Sequence, residues 1–256
     1  DICVMGGRVM GWKRKKSEGV QVMKGGKRMG NLMDIGKIPS LKRLVYDNLK
    51  ERIISGELKP GTRLREEDLS VEMNISRAPI REAFNMLERD GFTVIVPRKG
   101  AVVAEATEEE RDYIWEMRAI LEPYAAVKSM SLISDEKIAK LENDLKKVLE
   151  NPDDLKLYMD SDIELHEMLF QNLENHFMKD TLENMRAHSL RMRWAVENRH
   201  PGIRSDIEFE STKEHLQILD ALKRKDEKAV YQTVYDHLIN SRERIFPSAG
   251  QNLKKE

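Results

Sequence analysis

Apolar residues recur at helical spacing over most of the chain, and the clearest example is the segment from Ser76 to Gly91. Its apolar positions are spaced i, i+3, i+4 and i+7 and comprise Ile80, Ala83, Phe84 and Leu87. The opposite side of the segment carries Arg77, Arg81, Asn85 and Arg89. The pattern predicts an amphipathic helix that ends at Gly91, because glycine readily adopts the left-handed conformation found just beyond a helix.

Two further helices are predicted before this segment. One runs from Ser40 to about Ser55, and the other runs from Glu66 to Met73 and leads into a turn that ends at Ser76. Two helices joined by a tight turn, with cations on the first exposed turn of the second, are typical of a helix-turn-helix. The alternative is an ordinary core helix with a solvated face, which would be favoured if the Ser76–Gly91 helix stood alone.

Two short strands are predicted directly after this helix. They span Phe92 to Val96 and Ala101 to Ala104, and they flank the turn Pro97-Arg98-Lys99-Gly100. A helix, a helix-turn-helix and a basic β-hairpin, in this order over residues 40–104, predict a winged helix. In that arrangement Arg98 and Lys99 would lie beside the minor groove of DNA while the Ser76–Gly91 helix enters the major groove.

Residues 105–246 show helical periodicity alone. Six helices are predicted, at about 107–131, 134–150, 153–173, 176–198, 205–223 and 226–245. Capping boxes at Thr107–Glu110 and Ser205–Glu208 are predicted to open the first and the fifth. The predicted fold is therefore mainly α, with an N-terminal winged helix-turn-helix followed by an antiparallel all-helical bundle of about six helices.

The two ends of the chain lack such periodicity. Residues 1–39 hold eight of the fourteen glycines and are predicted to be disordered. They are either a basic arm that touches DNA or a non-native extension, and residues 247–256 are a short tail.

Charge is distributed unevenly along the chain. Lys and Arg outnumber Asp and Glu by 9 to 3 in residues 1–39 and by 12 to 10 in residues 40–104, whereas residues 105–246 hold 21 against 31. A cationic N-terminal part on an acidic body suits a nucleic-acid-binding protein. The single cysteine, Cys3, excludes an intrachain disulfide framework. With no apolar run of membrane-spanning length and no evident signal peptide, a cytoplasmic location is expected.

Four residues of the bundle combine metal-ligand chemistry with a position on an apolar helix face. Asp162 and His166 are spaced i, i+4 beside Leu165, and His215 and His237 lie on the apolar faces of two other predicted helices. Three imidazoles and one carboxylate would suit zinc, nickel or another first-row divalent ion. The alternative is that each histidine is a core residue bonded to a carbonyl or carboxylate.

Arg118 is a second unusual residue, because it lies among Ile114, Leu121 and Ala125 in the first bundle helix. One interpretation is a salt bridge with Glu122 at the edge of the bundle. The other is a bidentate clamp for the carboxylate of a small-molecule effector.

The motifs SGELKPGTRL, EEDLSVEMNISRAPIREAFNMLERDGF and VPRKGAVV together resemble the GntR family of bacterial transcription regulators. The helical part, with EMRAILEPYAA, DIELH, EHLQILDAL and the His237-Leu238 pair, resembles the FCD effector-binding domain of the FadR-type subfamily. The two resemblances cover about 200 residues.

The resemblance implies a homodimeric repressor or activator that binds a pseudo-palindromic double-stranded operator. It assigns DNA contacts to Arg65, Ser76, Arg77, Arg81 and Gly100. The best-studied fatty-acid-responsive relative has an arginine where this chain has Glu67, so its operator cannot be transferred.

The resemblance further implies a divalent metal on Asp162, His166, His215 and His237. Six helices rather than seven indicate the metal-binding subgroup, whose effectors are small carboxylates or sugar acids that bind near Arg118. Two other hypotheses stay open: a metal-dependent hydrolase-like enzyme, and a purely structural metal in a dimerisation domain.

Overall fold

The computed structural model describes residues 39–152, 154–197 and 201–246, without the side chains of residues 194–206. The predictions for residues 1–38 and 247–256 lie outside these ranges. The described elements are α1 (Leu41–Ile54), β1 (Arg63–Leu64), α2 (Glu66–Glu72), α3 (Arg77–Arg89), β2 (Thr93–Val96), β3 (Gly100–Val103), α4 (Glu108–Ser129), α5 (Asp135–Glu150), α6 (Leu155–Met168), α7 (His176–Glu197), α8 (Pro201–Arg224) and α9 (Glu227–Ile245).

The first three helices and the three strands form the predicted winged helix, here called the head. Its core joins the apolar faces of α1 and α3 to residues of the sheet, including Leu49, Ile80, Phe84, Leu87 and Ala101. The strand order is β1-β3-β2, and both pairings are antiparallel. Strand β1 was not predicted, because two residues are too few to show an alternating pattern.

Helices α4 to α9 form the predicted bundle, and α4 packs against α9, which in turn packs against α8. Its largest apolar core draws on α4, α5, α6, α8 and α9. The capping box at the start of α4 is confirmed, since the Thr107 hydroxyl accepts from Glu110 N and the Glu110 carboxylate accepts from Thr107 N. Among the described residues, no helix is both long enough and apolar enough to cross a membrane.

Two predicted helix boundaries were wrong. Helix α8 begins at Pro201 rather than at Ser205, so the predicted capping box lies inside the helix. The fixed φ and missing N–H of proline suit the first turn of a helix, which explains the earlier start at Pro201. Helix α6 ends at Met168, about five residues earlier than predicted.

Candidate functional site

The head contains a cationic groove between α3, the start of α2 and the hairpin of β2 and β3. Six of the seven predicted DNA-binding residues line it, namely Arg65, Arg77, Arg81, Arg98, Lys99 and Gly100. Ser76, the seventh, is exposed at the N-terminus of α3, and its hydroxyl makes no capping hydrogen bond. The groove also contains Arg63, whose Nε donates to the Lys99 carbonyl and thereby ties β1 to the hairpin turn.

Two arginines of the groove are paired with glutamates of α2. Arg81 forms a two-pronged contact with Glu66, at 2.8 Å from Nε to Oε1 and 2.7 Å from Nη2 to Oε2. Arg77 Nη1 lies 3.0 Å from Glu67 Oε1. The glutamates therefore hold both guanidinium groups in place at the surface where α3 would meet DNA.

Gly100 has a structural reason to be glycine. Its φ is +87°, and a Cβ at this position would lie 2.4 Å from the Leu64 carbonyl oxygen. Gly100 also belongs to β3, where it pairs with Val96, rather than to the turn that was predicted. The close approach of β1 and β3 fixes the direction in which Arg98 and Lys99 leave the sheet.

The bundle contains a buried group of three histidines. His166 on α6, His215 on α8 and His237 on α9 each offer a ring nitrogen, and these atoms lie within 4.8 Å of one another. His237 Nε2 is 3.3 Å from His215 Nε2 and 3.3 Å from His166 Nε2. All three side chains are almost fully buried. The apolar face that each histidine was predicted to occupy thus brings the three rings to one point, here called the histidine triad.

Carboxylates determine which ring nitrogen carries the proton on two of these residues. His166 Nδ1 lies 3.0 Å from Glu122 Oε2, and His237 Nδ1 lies 2.8 Å from Glu214 Oε2. Because each Nδ1–H donates to a carboxylate, the Nε2 lone pair of each ring faces the triad. His215 Nδ1 is buried and has no hydrogen-bond partner among the described residues.

The environment favours neutral imidazoles. Burial lowers the pKa of His166 to about 3, and it lowers the pKa of His215 and His237 as well. Burial by itself would raise the pKa of Glu122, but Arg118 and the hydrogen bond with His166 outweigh it and hold this pKa below its usual range. At neutral pH the site therefore holds neutral rings beside ionised carboxylates, which is the state that binds metals.

Asp162 lies beside the triad and is held by two arginines of α7. Its Oδ1 is 3.7 Å from His215 Nε2 and 2.9 Å from Arg193 Nη1, and its Oδ2 accepts from Arg186 Nη2. Burial raises the pKa of this carboxyl, but the two guanidinium groups outweigh that effect and keep the pKa well below its ordinary value. Asp162 is ionised and faces both the triad and α7.

Arg118 is 2% exposed, so the interpretation that placed its salt bridge at the bundle edge was wrong about the location. The predicted pairing with Glu122 is confirmed, because Arg118 Nε donates to Oε1 and Nη2 lies 3.3 Å from Oε2. Its Nη2 is also 3.5 Å from His166 Nδ1. Arg118 is thus a neighbour of the triad through Glu122.

The remaining histidines have different positions. His176 is exposed at the start of α7, and His200 lies outside the described residues. His188 lies away from the triad, and its Nε2 is 2.8 Å from the Asp90 carbonyl oxygen of the head. The sequence-based prediction also missed Arg186, Arg193, Glu122 and Glu214 as members of the bundle site.

Comparisons with known proteins agree with this arrangement of two parts. Residues 41–103 match the family of bacterial regulatory proteins called gntR, and residues 113–240 match the FCD domain. The chain is 28% identical over 206 residues to the HTH-type transcriptional regulator YdhC of Bacillus subtilis, covering 78% of this chain and 88% of that protein. It is also 28% identical over 196 residues to the HTH-type transcriptional repressor RspR of Escherichia coli, covering 76% and 84%.

Two other similarities extend the comparison. The gluconate operon transcriptional repressor of Bacillus subtilis is 24% identical over 214 residues, which cover 79% of this chain and 84% of that protein. The solved structure of McbR/YncC from E. coli superimposes with a TM-score of 0.69 at 21% identity, covering 82% of this chain and 98% of that one. At that identity the structural likeness shows the shared fold alone.

Proposed function

Since the chain belongs to the gntR family of bacterial transcription regulators and carries an FCD domain, we propose that it is a repressor whose operator affinity is set by a small carboxylate or sugar acid and a divalent metal. The chain is a transcription regulator and not an enzyme. We propose four features of this function: the metal, the effector, the homodimeric state and the action as a repressor. The observation that carries the proposal is the convergence of three Nε2 atoms inside the domain that follows the head.

A divalent metal fits the residues of the triad. The Nε2 lone pairs of His166 and His237 face each other at 3.3 Å, and they would repel unless a cation or a proton lies between them. The carboxylates of Glu122 and Glu214 orient two of the rings, as outer partners of metal-bound histidines do. His166, His215 and His237 would hold the ion, with Asp162 as the fourth ligand, and zinc or nickel suits this donor set. When bound, the ion would supply a Lewis-acidic centre for an anionic effector.

A carboxylate effector fits the arginines around the triad. Arg118 and Arg186 are both buried beside His166 and Asp162. Arg186 Nε is buried and has no hydrogen-bond partner among the described residues. An unsatisfied buried donor costs about 1–3 kcal/mol, so an anion that accepts from this atom would be favoured. Arg118 remains the predicted clamp, and Arg186 joins it.

The groove of the head fits double-stranded DNA. It exposes arginines from α3 together with Arg98 and Lys99 of the hairpin turn, which suits a helix in the major groove and a wing near the minor groove. Arg81 and Arg77 are the residues of the groove that we propose to read or position the operator, with Arg65, Ser76 and Gly100 near the phosphate backbone.

Neutralising Glu67 should strengthen operator binding. In Glu67→Gln the Arg77 guanidinium loses its acidic partner, and one negative charge leaves the surface that approaches phosphate. We expect operator affinity to rise by roughly 3- to 10-fold at low salt, measured by fluorescence anisotropy on a duplex selected from a randomised library. The control is Glu72→Gln, because Glu72 lies on the same helix but pairs with Arg52 outside the groove. Equal effects of the two variants would contradict this role of Glu67.

A homodimer fits an exposed apolar surface of the bundle. Helices α4 and α9 pack side by side and expose seven large apolar residues at helical spacing. This α4/α9 face comprises Tyr113, Met117, Ile120, Tyr124, Tyr231, Tyr235 and Ile239. Contiguous apolar surface of this kind marks protein–protein contacts. A second copy is the partner that we propose, because a pseudo-palindromic operator needs two heads and each chain supplies one.

A charge in the α4/α9 face should separate the dimer. Ile120→Asp places an unpaired carboxylate among apolar residues of both copies, and we expect the dimer dissociation constant to rise at least ~100-fold. Light scattering coupled to size-exclusion chromatography measures the mass of each species. Val94→Asp is the control, because Val94 lies on the hairpin and is 54% exposed against 55% for Ile120. A dimeric Ile120→Asp protein would show that the copies meet elsewhere.

The complete proposal is tested on the full-length chain. Elemental analysis of protein purified without added metal should find about one equivalent of a first-row divalent ion per chain. A panel of small carboxylates and sugar acids, screened by thermal denaturation, should contain a compound that raises the melting temperature of the metal-loaded protein and changes operator affinity. Metal-free protein that binds operator and responds to the effector unchanged would contradict the metal's role.

A further inference from the structure

We propose that α7 is the element that couples the triad to the head, a role that rests on the proposed function. Helix α7 spans His176–Glu197, and its side chains contact Asp162 beside the triad as well as Asp90 of the head. The proposal assigns a positioning role to His188 and Arg191, which contact neither metal ligands nor the groove.

One side of α7 faces the triad. Arg186 and Arg193 lie seven residues apart, on the same side of the helix, and both contact the Asp162 carboxylate. Arg186 Nη2 also lies 3.3 Å from the Asp162 backbone oxygen. The position of α7 relative to α6 is therefore set by a buried ionic contact at the edge of the triad.

The other side of α7 faces the head. His188 Nε2 donates to the Asp90 carbonyl at 2.8 Å, and its ring stacks on Phe92 with centroids 4.3 Å apart and planes 9° from parallel. Arg191 Nη1 donates to the Ala104 carbonyl at 3.1 Å, and its Nη2 donates to His188 Nδ1 at 3.2 Å. The His188 contacts hold the segment between α3 and β2, and the Arg191 contact holds the residue that follows β3.

The two sets of contacts lie on opposite sides of one rigid element. At 100° per residue, His188 and Arg191 are directed about 140–160° away from Arg186 and Arg193. Ala187 of α7 is part of the apolar core of the head. A shift of α7 by 1–2 Å, of the kind that transmits signals at packed interfaces, would displace the end of α3 directly.

The contacts of Asp162 make such a shift responsive to an occupant of the triad. The Asp162 carboxylate contacts both His215 of the triad and two arginines of α7. A metal ion that binds this carboxylate therefore competes with Arg186 and Arg193 for it. The same holds for an anion that binds Arg186. A ligand bound at the triad thereby changes how firmly α7 is held against α6. Because His188 contacts Asp90 and Arg191 contacts Ala104, a movement of α7 also moves these residues of the head.

The test compares operator affinity with and without Zn²⁺ in the full-length protein. We define the coupling as the ratio of the operator dissociation constants measured with and without Zn²⁺. In the wild type we expect this ratio to differ from one by about 5-fold or more. His188→Phe keeps a ring to stack on Phe92 but loses the bond to Asp90. We expect this variant to bind Zn²⁺ with unchanged affinity while the coupling falls to within about twofold of unity. His176→Phe is the matched control, because it makes the same substitution at the exposed start of the same helix.

A pair of glycine variants tests the same contact from the head. Gly91 and Gly61 have almost equal φ values, +79° and +81°, so alanine strains the backbone similarly at both. A Cβ at Gly91 would lie 3.3 Å from His188 Cε1, whereas a Cβ at Gly61 meets nothing within 4 Å. We expect Gly91→Ala to reduce the coupling and Gly61→Ala to preserve it.

The outcomes separate this inference from the proposed function. Coupling that survives intact in both His188→Phe and Gly91→Ala would overturn the role of α7. A wild type that binds Zn²⁺ and operator with a coupling of one would overturn it as well, but would leave both binding sites standing. Failure of the wild type to bind either Zn²⁺ or any selected duplex would instead overturn the proposed function.

Discussion

Replacing His215 with alanine should abolish tight Zn²⁺ binding. His215 supplies one of the three converging Nε2 atoms, and its side chain is fully buried between α6 and α9. Two imidazoles and one carboxylate bind first-row ions far more weakly than three imidazoles and a carboxylate, so we expect the dissociation constant to rise on the order of 100-fold or more. Competition against a chromophoric chelator measures this affinity.

The substitution at His215 is also a clean one. Its Nδ1 has no hydrogen-bond partner among the described residues. Its Nε2 lies 3.3 Å from His237 Nε2, and that atom keeps His166 Nε2 as a neighbour at 3.3 Å when His215 becomes alanine. The wild type should gain thermal stability when Zn²⁺ is added, and His215→Ala should not, because only an ion that binds the folded state shifts its melting temperature. His176→Ala is the control. A His215→Ala protein with wild-type Zn²⁺ affinity would show that the triad does not hold the ion.

Removing Arg81 should weaken operator binding. Arg81 presents a guanidinium from the first exposed turns of α3, and a two-pronged contact to a base edge or phosphate contributes about 1–3 kcal/mol. We therefore expect Arg81→Ala to weaken specific binding roughly 10- to 100-fold. The loss is increased by Glu66, which then faces the DNA without its partner.

Arg89 provides the matched control for Arg81. It lies on the same helix, is exposed, and pairs with Asp90 outside the groove. Arg89→Ala should leave both specific and non-specific affinity within about twofold of the wild type. If Arg81→Ala weakened binding to random duplexes as much as binding to the selected operator, Arg81 would be a phosphate contact rather than a reader of sequence.

Local periodicity was enough to predict the parts of both sites that each helix determines by itself. The apolar stripe of α3 fixed which arginines are exposed, and the apolar faces of α6, α8 and α9 directed His166, His215 and His237 inward. Converging rings then followed from packing alone, since inward faces of neighbouring helices must meet.

The missed residues depend on partners that are distant in the sequence. Arg186 and Arg193 looked like ordinary polar positions, because nothing near them on α7 indicates that Asp162 of α6 neutralises them. Arg118 and Glu122 were recognisable as an i, i+4 pair, but their burial depends on how α4 packs against α7 and α9. His188 is the strongest case, because its partners belong to the head, about 98 residues earlier in the chain.

The paired arginines of the groove have a consequence for how the protein searches a chromosome. If Arg77 and Arg81 contact phosphate as we propose, each must first leave Glu67 or Glu66, so we expect an encounter with random sequence to release fewer counterions than the number of arginines suggests. Shorter stays on unrelated DNA leave more of the protein free to sample other sites. The glutamates of α2 would thus lower non-specific affinity more than specific affinity. This difference would help the operator compete against the great excess of other genomic sequence.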